Sequence, residues 1–356
     1  MATQPAGTSQ EHGGLRLAGE ADPDLAGEGA GEGQPTAGVG PYRLALRRLR
    51  RNHVALAFGV IFLLVVAVSA VVPLYSRYIA YTGSNDNHIT ETITVSGHSE
   101  NVVSTTGIPI GPTWHSRFFF GADQNGRDVA VRLLYGGRAS LEIGLLAAVI
   151  TTVLATIVGT TAGYFRGAVD GILARVMDVI WAYPPLLLGI ALGTSLALGG
   201  LKFGPLTIRG NSLFIPALII GFVYVPWVGK PIRGQVLSLR EREFIDAART
   251  QGMGHGRIMT SEVLPNLGST IVVFIPLIIA NAILLEAALS FLGAGVQPPN
   301  PSWGTMIGEG LQLLTAAPHL VLVPGLTLVL AVVGINVFGD GVRDALDPRA
   351  QVRLQH

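Results

Sequence analysis

Residues Arg240 to Asn266 read REREFIDAARTQGMGHGRIMTSEVLPN, a polar interruption between apolar segments. The stretch is too polar to cross a bilayer. Phe244, Ala247, Ala248 and Gln251 sit at i, i+3, i+4 and i+7, the spacing that places one large ring and two methyl-sized residues on a single helical face. Such a face lets another surface approach closely. Arg242 and Asp246, four residues apart, are expected to brace the opposite face, and Gly252 can take the left-handed conformation that ends a helix. Gly254 and Gly256 then make a turn, and Pro265 opens the next apolar segment. Periodicity alone describes a solvated connector helix, so its meaning depends on what flanks it.

The flanks are membrane-like. Of the 356 residues 49% are apolar and 13% charged, against about 25% charged in a soluble domain. The mean hydropathy is +0.49. Six apolar stretches stand out: Val54 to Val72, Ala139 to Gly163, Val176 to Leu198, Leu213 to Gly229, Leu267 to Leu292 and His319 to Gly339. The first, 19 residues without a charge, would rise about 28 Å as a helix, close to the thickness of a hydrocarbon core. It is too long for the apolar run of a cleavable signal and reads as a retained anchor. Six spans put both ends on one side. The five arginines between Arg43 and Arg51, with Arg166, Arg175, Lys230, Arg233, Arg240, Arg242, Arg249, Arg257, Arg343, Arg349 and Arg353, assign that side to the cytoplasm. Gly293 to Ala317 carries no Lys or Arg, while Lys202 and Arg209 on a short outer loop run against the pattern.

The expected organisation is a disordered, acidic, glycine-rich tail over 1–40, an amphipathic segment with the first span over 41–72, an extracytoplasmic loop over 73–138, a core of five helices over 139–341 and a cytoplasmic tail over 342–356. Within the core lies the cytoplasmic loop 230–266. In the outer loop, Ile89, Glu91, Ile93 and Val95 alternate with Thr90, Thr92, Thr94 and Ser96, which predicts a strand hairpinned through Gly97 onto Asn101 to Thr106. Pro184, Pro185, Pro216, Pro226, Pro276 and Pro324 fall inside spans and predict kinked helices.

Catalytic chemistry finds little support. There is no G-x-x-x-x-G-K-[ST] loop, no H-E-x-x-H helix and no G-x-S-x-G elbow. With zero Cys, disulfides, thiolate metal sites and a Cys nucleophile are excluded, and a net charge of +1 gives no footprint for nucleic acid. Neither a cofactor nor a metal is expected.

The arrangement Asp246-Ala247-Ala248, three residues, Gly252, then Leu264-Pro265-Asn266 resembles the EAA loop of permease subunits in binding-protein-dependent ABC importers, with Asp in place of the usual Glu. The stretches Phe120 to Asp128 (FGADQNGRD), Arg175 to Asp178 (RVMD), Glu286 to Gly293 (EAALSFLG), Pro298 to Gly304 (PPNPSWG) and Gly339 to Pro348 (GDGVRDALDP) resemble the dipeptide and oligopeptide branch of that family. Their order is similar to the C-type subunit of the permease pair. The resemblance implies an all-α polytopic membrane protein with the type I importer permease fold, without catalytic residues. It implies a second permease subunit making a heterodimer, two cytoplasmic ATPase subunits and an extracytoplasmic peptide-binding protein. It also assigns Phe244, Asp246, Ala247, Ala248, Gly252, Leu264, Pro265 and Asn266 to the loop that meets the ATPase. A nickel chelate or a sugar is an alternative cargo in that branch.

Four polar residues within spans, Asp178, Asn281, Glu286 and Asn336, are candidates for the pathway or for bonds between helices. A proton-coupled secondary transporter using Glu286 and Asp178 is the rival reading, but such folds show internal repeats and none is visible here. A membrane enzyme lacks a constellation of nucleophile, base and metal. The topology is checked by single cysteines introduced into this Cys-free chain. An impermeant thiol reagent should label Cys at Ser99 and Gln297 from outside, while Cys at Gln251 should react only after the membrane is opened. Outside labelling at Gln251 overturns both the orientation and the docking role of its loop.

Overall fold

The computed structural model describes residues 41–95 and 97–346. The expected tail over 1–40 and the last ten residues of the expected C-terminal tail lie outside the described residues. Helix α1 (Pro41–Arg51) ends at Asn52, whose side chain accepts a hydrogen bond from Ala55 N at 3.0 Å and so caps α2 (His53–Ala70). A short α3 (Val72–Tyr75) runs into a π-turn over Ser76–Ala80. In the expected outer loop β1 (Thr92–Val95) pairs antiparallel with β2 (His98–Asn101), Val95 lying opposite His98. Gly97 takes φ +84°, which closes a tight hairpin. The second strand therefore follows the turn at once and ends at Asn101, where the sequence pattern had placed its start. Ile93 packs with Val102, Val103, Phe118 and Ala122 in a small apolar cluster beneath the hairpin.

Helix α4 (Val129–Phe165) has 37 residues and starts ten residues before the expected span. Asp128 sets that start: one carboxylate oxygen accepts from Ala130 N and Val131 N, the other from Phe118 N at 2.6 Å. At 1.5 Å per residue the rod is about 55 Å long, well beyond the hydrocarbon thickness. The third expected span is not straight. Helices α5 (Gly167–Ala182) and α6 (Pro185–Gly199) meet at 89°, because Pro184 and Pro185 force Tyr183 and Pro184 into extended backbone. A hairpin of β3 (Leu201–Phe203) and β4 (Leu206–Ile208) leads to α7 (Phe214–Val223) and α8 (Val225–Leu239), bent by 42° at Tyr224. Then come α9 (Glu243–Thr250), α10 (His255–Ile258), α11 (Leu264–Phe291), α12 (Trp303–Gly310) and α13 (His319–Leu346). By length and composition four helical segments can cross a membrane, or six if each bent pair is one span.

Glycine lets α8 close onto α4. A Cβ on Gly159 would lie 2.6 Å from the Gly229 carbonyl oxygen, and one on Gly163 would lie 2.8 Å from that of Arg233. At its N-terminal end α4 is held by charge. Asp123 accepts from Arg127 at 2.7 Å and lies 3.3 Å from Arg132, while Glu309 of α12 meets Arg127 at 2.7 Å and Arg132 at 3.0 Å. Arg132 is 1% exposed and also donates to the Ser84 carbonyl. Further out, Glu91 bridges His88 and Arg117. Partial burial raises its pKa, but the hydrogen bonds from His88 and Arg117 outweigh that and hold the carboxyl below the usual carboxylate range.

Removing one acid from the four-member cluster leaves two buried guanidinium groups sharing Glu309. Asp123→Ala should therefore destabilise the protein by about 3 kcal/mol, whereas exposed Glu100→Ala should stay within about 0.5 kcal/mol. Tryptophan fluorescence on heating the solubilised protein reads the difference. Equal midpoints would show that the cluster does not hold the outer loop to α4 and α12.

Candidate functional site

Helix α9 and its flanks form the cytoplasm-assigned loop expected from the sequence, and its two faces differ. Ile245 (0% exposed) and Ala248 (5%) are buried against Ile258, Val263 and Leu267. Phe244, Ala247 and Gln251 form the outward row at i, i+3 and i+7. Ala248, expected beside Ala247 on the docking face, instead points inward, because a short amphipathic helix must bury an apolar stripe and Ile245 with Ala248 is the stripe available. Asp246 pairs with Arg249 at 2.8 Å rather than with Arg242, which precedes the first turn as its extended cap residue. Gly252 has φ +78°. Its N–H donates to Arg249 O at 2.9 Å and Met253 N to Ala248 O at 3.1 Å, a Schellman closure that returns the chain to the core through Met253.

The C-terminal end of α4 clamps this segment on both sides. Arg240 donates to the Tyr164 carbonyl and Arg166 to Glu241, just ahead of α9. That Arg166 bond holds the Glu241 carboxyl below its ordinary range. Beyond α9, the Tyr164 hydroxyl and His255 Nδ1 lie 3.0 Å apart. Leu264, Pro265 and Asn266 form the exposed first turn of α11, where Pro265 needs no hydrogen-bond acceptor for a backbone N–H. Asn266 donates to Glu262 O at 2.7 Å. Tyr164, Arg166 and Ile245 were not singled out from sequence. Tyr164 and Arg166 meet the loop about 75 to 90 residues away in the chain, and local periodicity carries no signal of that.

The four intramembrane polar residues do not converge. Asp178 is half-exposed on α5 and pairs with Lys230 of α8 at 2.8 Å; Asp170, about two turns back on α5, pairs with Arg233, one turn further along α8. Asn281 donates to Leu277 O at 2.8 Å within α11, and Asn336 lies half-buried on α13. Glu286 is fully buried: one carboxylate oxygen accepts from Ser290 Oγ at 2.6 Å, and Ser140 of α4 and Ser302 at the start of α12 border it. Its other oxygen lacks a partner. Ser302 and Thr305 form the reciprocal cap of α12, and Trp303 N donates to Ser140 Oγ at 3.3 Å, so three helices meet at this carboxyl. Among the described residues no group of three or more His, Asp or Glu is placed to hold a metal.

Residues 143–352 match the family described as the binding-protein-dependent transport system inner membrane component. Residues 40–89 match the N-terminal transmembrane domain of oligopeptide transport permease C. The chain belongs to this family of multi-pass inner-membrane permeases and is a permease subunit of an ABC importer. Such permeases work with ATPase subunits and a substrate-binding protein. Among its relatives, the dipeptide transport system permease protein of Alkalihalophilus pseudofirmus is 36% identical over 89% of this chain and 93% of its own length. The glutathione transport system permease protein of Pectobacterium atrosepticum is 33% identical over 87% and 91%. A chain of the methionine ABC transporter MetNI, solved in inward-facing conformations, superposes with a TM-score of 0.48 at 16% identity, covering 60% of this chain and 96% of that one.

The enclosure of Glu286 sets an expectation. Glu286→Gln should keep most uptake, since the amide preserves hydrogen bonding in the same volume, while Glu286→Leu should lower the amount of protein in the membrane by leaving the serine hydroxyls unpaired. Uptake lost in Glu286→Gln at normal abundance would instead make the charge part of transport.

Proposed function

We propose that this subunit imports dipeptides and other small peptides, as one half of a permease heterodimer above two ATPase subunits that hydrolyse the ATP, with both termini in the cytoplasm. An extracytoplasmic binding protein delivers the peptide. The cargo reading is supported by the names of relatives at 33 to 36% identity, whose length this chain nearly covers. Coupling enters through α9, with Phe244, Ala247 and Gln251 meeting the ATPase surface and Asp246, Gly252 and the Leu264-Pro265-Asn266 turn holding the element in shape. Ala248 supports it from beneath. Glu286 and Asn281 act in helix packing, and the exposed pair Asp178–Lys230 is the polar group of the four available to a hydrated pathway.

The carrying observation is the division of α9 into a face locked to the core and an exposed face with a small residue at its centre. Closure of two ATPase subunits can move the bundle only through an element that differs in contact free energy between the two states and is rigidly joined to the helices. The burial of Ile245 and Ala248, with the clamps from Tyr164 and Arg166, supplies that rigidity.

Ala247→Trp should abolish ATP-driven dipeptide uptake in proteoliposomes and weaken co-purification with the ATPase, at normal abundance in the membrane. Ala248→Trp should act differently, destabilising the chain by about 1–3 kcal/mol through overpacking. Gly252→Val, where no atom crowds the added side chain, should cost about 1–3 kcal/mol from the positive φ alone. Normal uptake with Ala247→Trp and an attached ATPase would sink the coupling role of α9. Uptake of a nickel chelate or a sugar in place of peptide would sink the cargo while leaving coupling intact.

A further inference from the structure

Helix α1 is the most strongly basic element of the protein: its eleven residues, PYRLALRRLRR, hold five arginines and no acid. Arg43, Arg47, Arg50 and Arg51 fall at i, i+4, i+7 and i+8, which makes one stripe, and all four are exposed. None of these four has an ion-pair partner among the described residues. The other side of the helix is already in use. Ala45 is buried, and Leu49 lies 3.5 Å from where a Cβ on Gly341 of α13 would stand. Leu46, 51% exposed, borders the stripe. A single residue, Asn52, separates α1 from the apolar span α2, so the arginines stand beside the bilayer surface whatever the direction of α1.

We propose that this stripe is a binding site for anionic phospholipid headgroups, with the guanidinium groups on lipid phosphates and Leu46 dipping into the acyl boundary. Charge complementarity carries the choice of occupant: guanidinium pairs with phosphate in a bidentate fork, and a polybasic helix at the edge of a span is drawn to an anionic leaflet. The docking of Ala45 and Leu49 holds the stripe facing outward, which spares the entropy of ordering a free segment on the membrane. The competing occupant is the chain's own 1–40 segment, whose six acids could lie on the same arginines. The inference needs only that α2 spans a bilayer, and it is independent of cargo and of the coupling role of α9.

The chain lacks cysteine, so Leu46→Cys can carry one environment-sensitive fluorophore in the full importer complex, placed in nanodiscs of phosphatidylcholine with or without phosphatidylglycerol. Phosphatidylglycerol should shift the emission to the blue, and about 0.5 M salt should reverse the shift. Replacing Arg43, Arg47, Arg50 and Arg51 by Gln should lower the affinity for phosphatidylglycerol about fivefold per arginine, with uptake chemistry and ATPase attachment unchanged in phosphatidylcholine. Identical emission in the two lipids overturns the site, as does a full response after the four replacements. A response seen only after deletion of residues 1–40 makes the acidic segment the occupant and overturns the lipid assignment. The salt reversal on the chain with its arginines intact gives the same decision should the Gln variant fail to assemble.

Discussion

In hydrocarbon there is no hydrophobic drive between helices, so backbones must come close enough for dispersion and weak hydrogen bonds to hold them. The contact of α4 with α8 meets that requirement through Gly159 and Gly163, each of which leaves no room for a Cβ. The rest of the protein is arranged around the rod this packing fixes. At its N-terminal end Arg132 joins the preceding loop and α12; at its C-terminal end Tyr164 and Arg166 grip the segment that contains α9. About a third of the way along it, Ser140 borders the enclosed Glu286.

Family, apolar spans and the short polar helix α9 were legible in the sequence because each rests on a local signal. Apolar runs mark hydrocarbon, arginines mark the side on which they stay, and Gly252 marks a helix end by a backbone conformation other residues avoid. The hairpin turn at Gly97 was legible for the same reason. What the pattern could not fix was geometry set by one or two residues acting at a distance. Pro184 and Pro185 marked a kink in advance, but not its size, which the 89° between α5 and α6 supplies. The early start of α4 follows from Asp128 satisfying three backbone N–H groups, one of them ten residues back.

The face of α9 was the instructive miss. Phe244, Ala247, Ala248 and Gln251 satisfy the helical spacing, but periodicity does not say which side of an amphipathic helix turns inward. Ile245 decides it: the burial of its large side chain carries Ala248 with it and leaves Ala247 outside. Likewise the intramembrane acids looked equivalent in sequence, yet Asp178 has a lysine partner at an exposed surface and Glu286 has serines in a sealed one. Partner identity, supplied by other helices, separates them.

The split between the two sides of α9 also bears on how such a subunit can change over time. Residues that keep the element attached to the bundle, Ile245, Ala248 and Met253, are distinct from those on its outward row, Phe244, Ala247 and Gln251. Substitutions on the outward row leave the buried stripe of Ile245 and Ala248 packed, because the exposed side chains take no part in that core. An eight-residue helix therefore presents two surfaces under different constraints, one held by the fold that carries it and one free to drift.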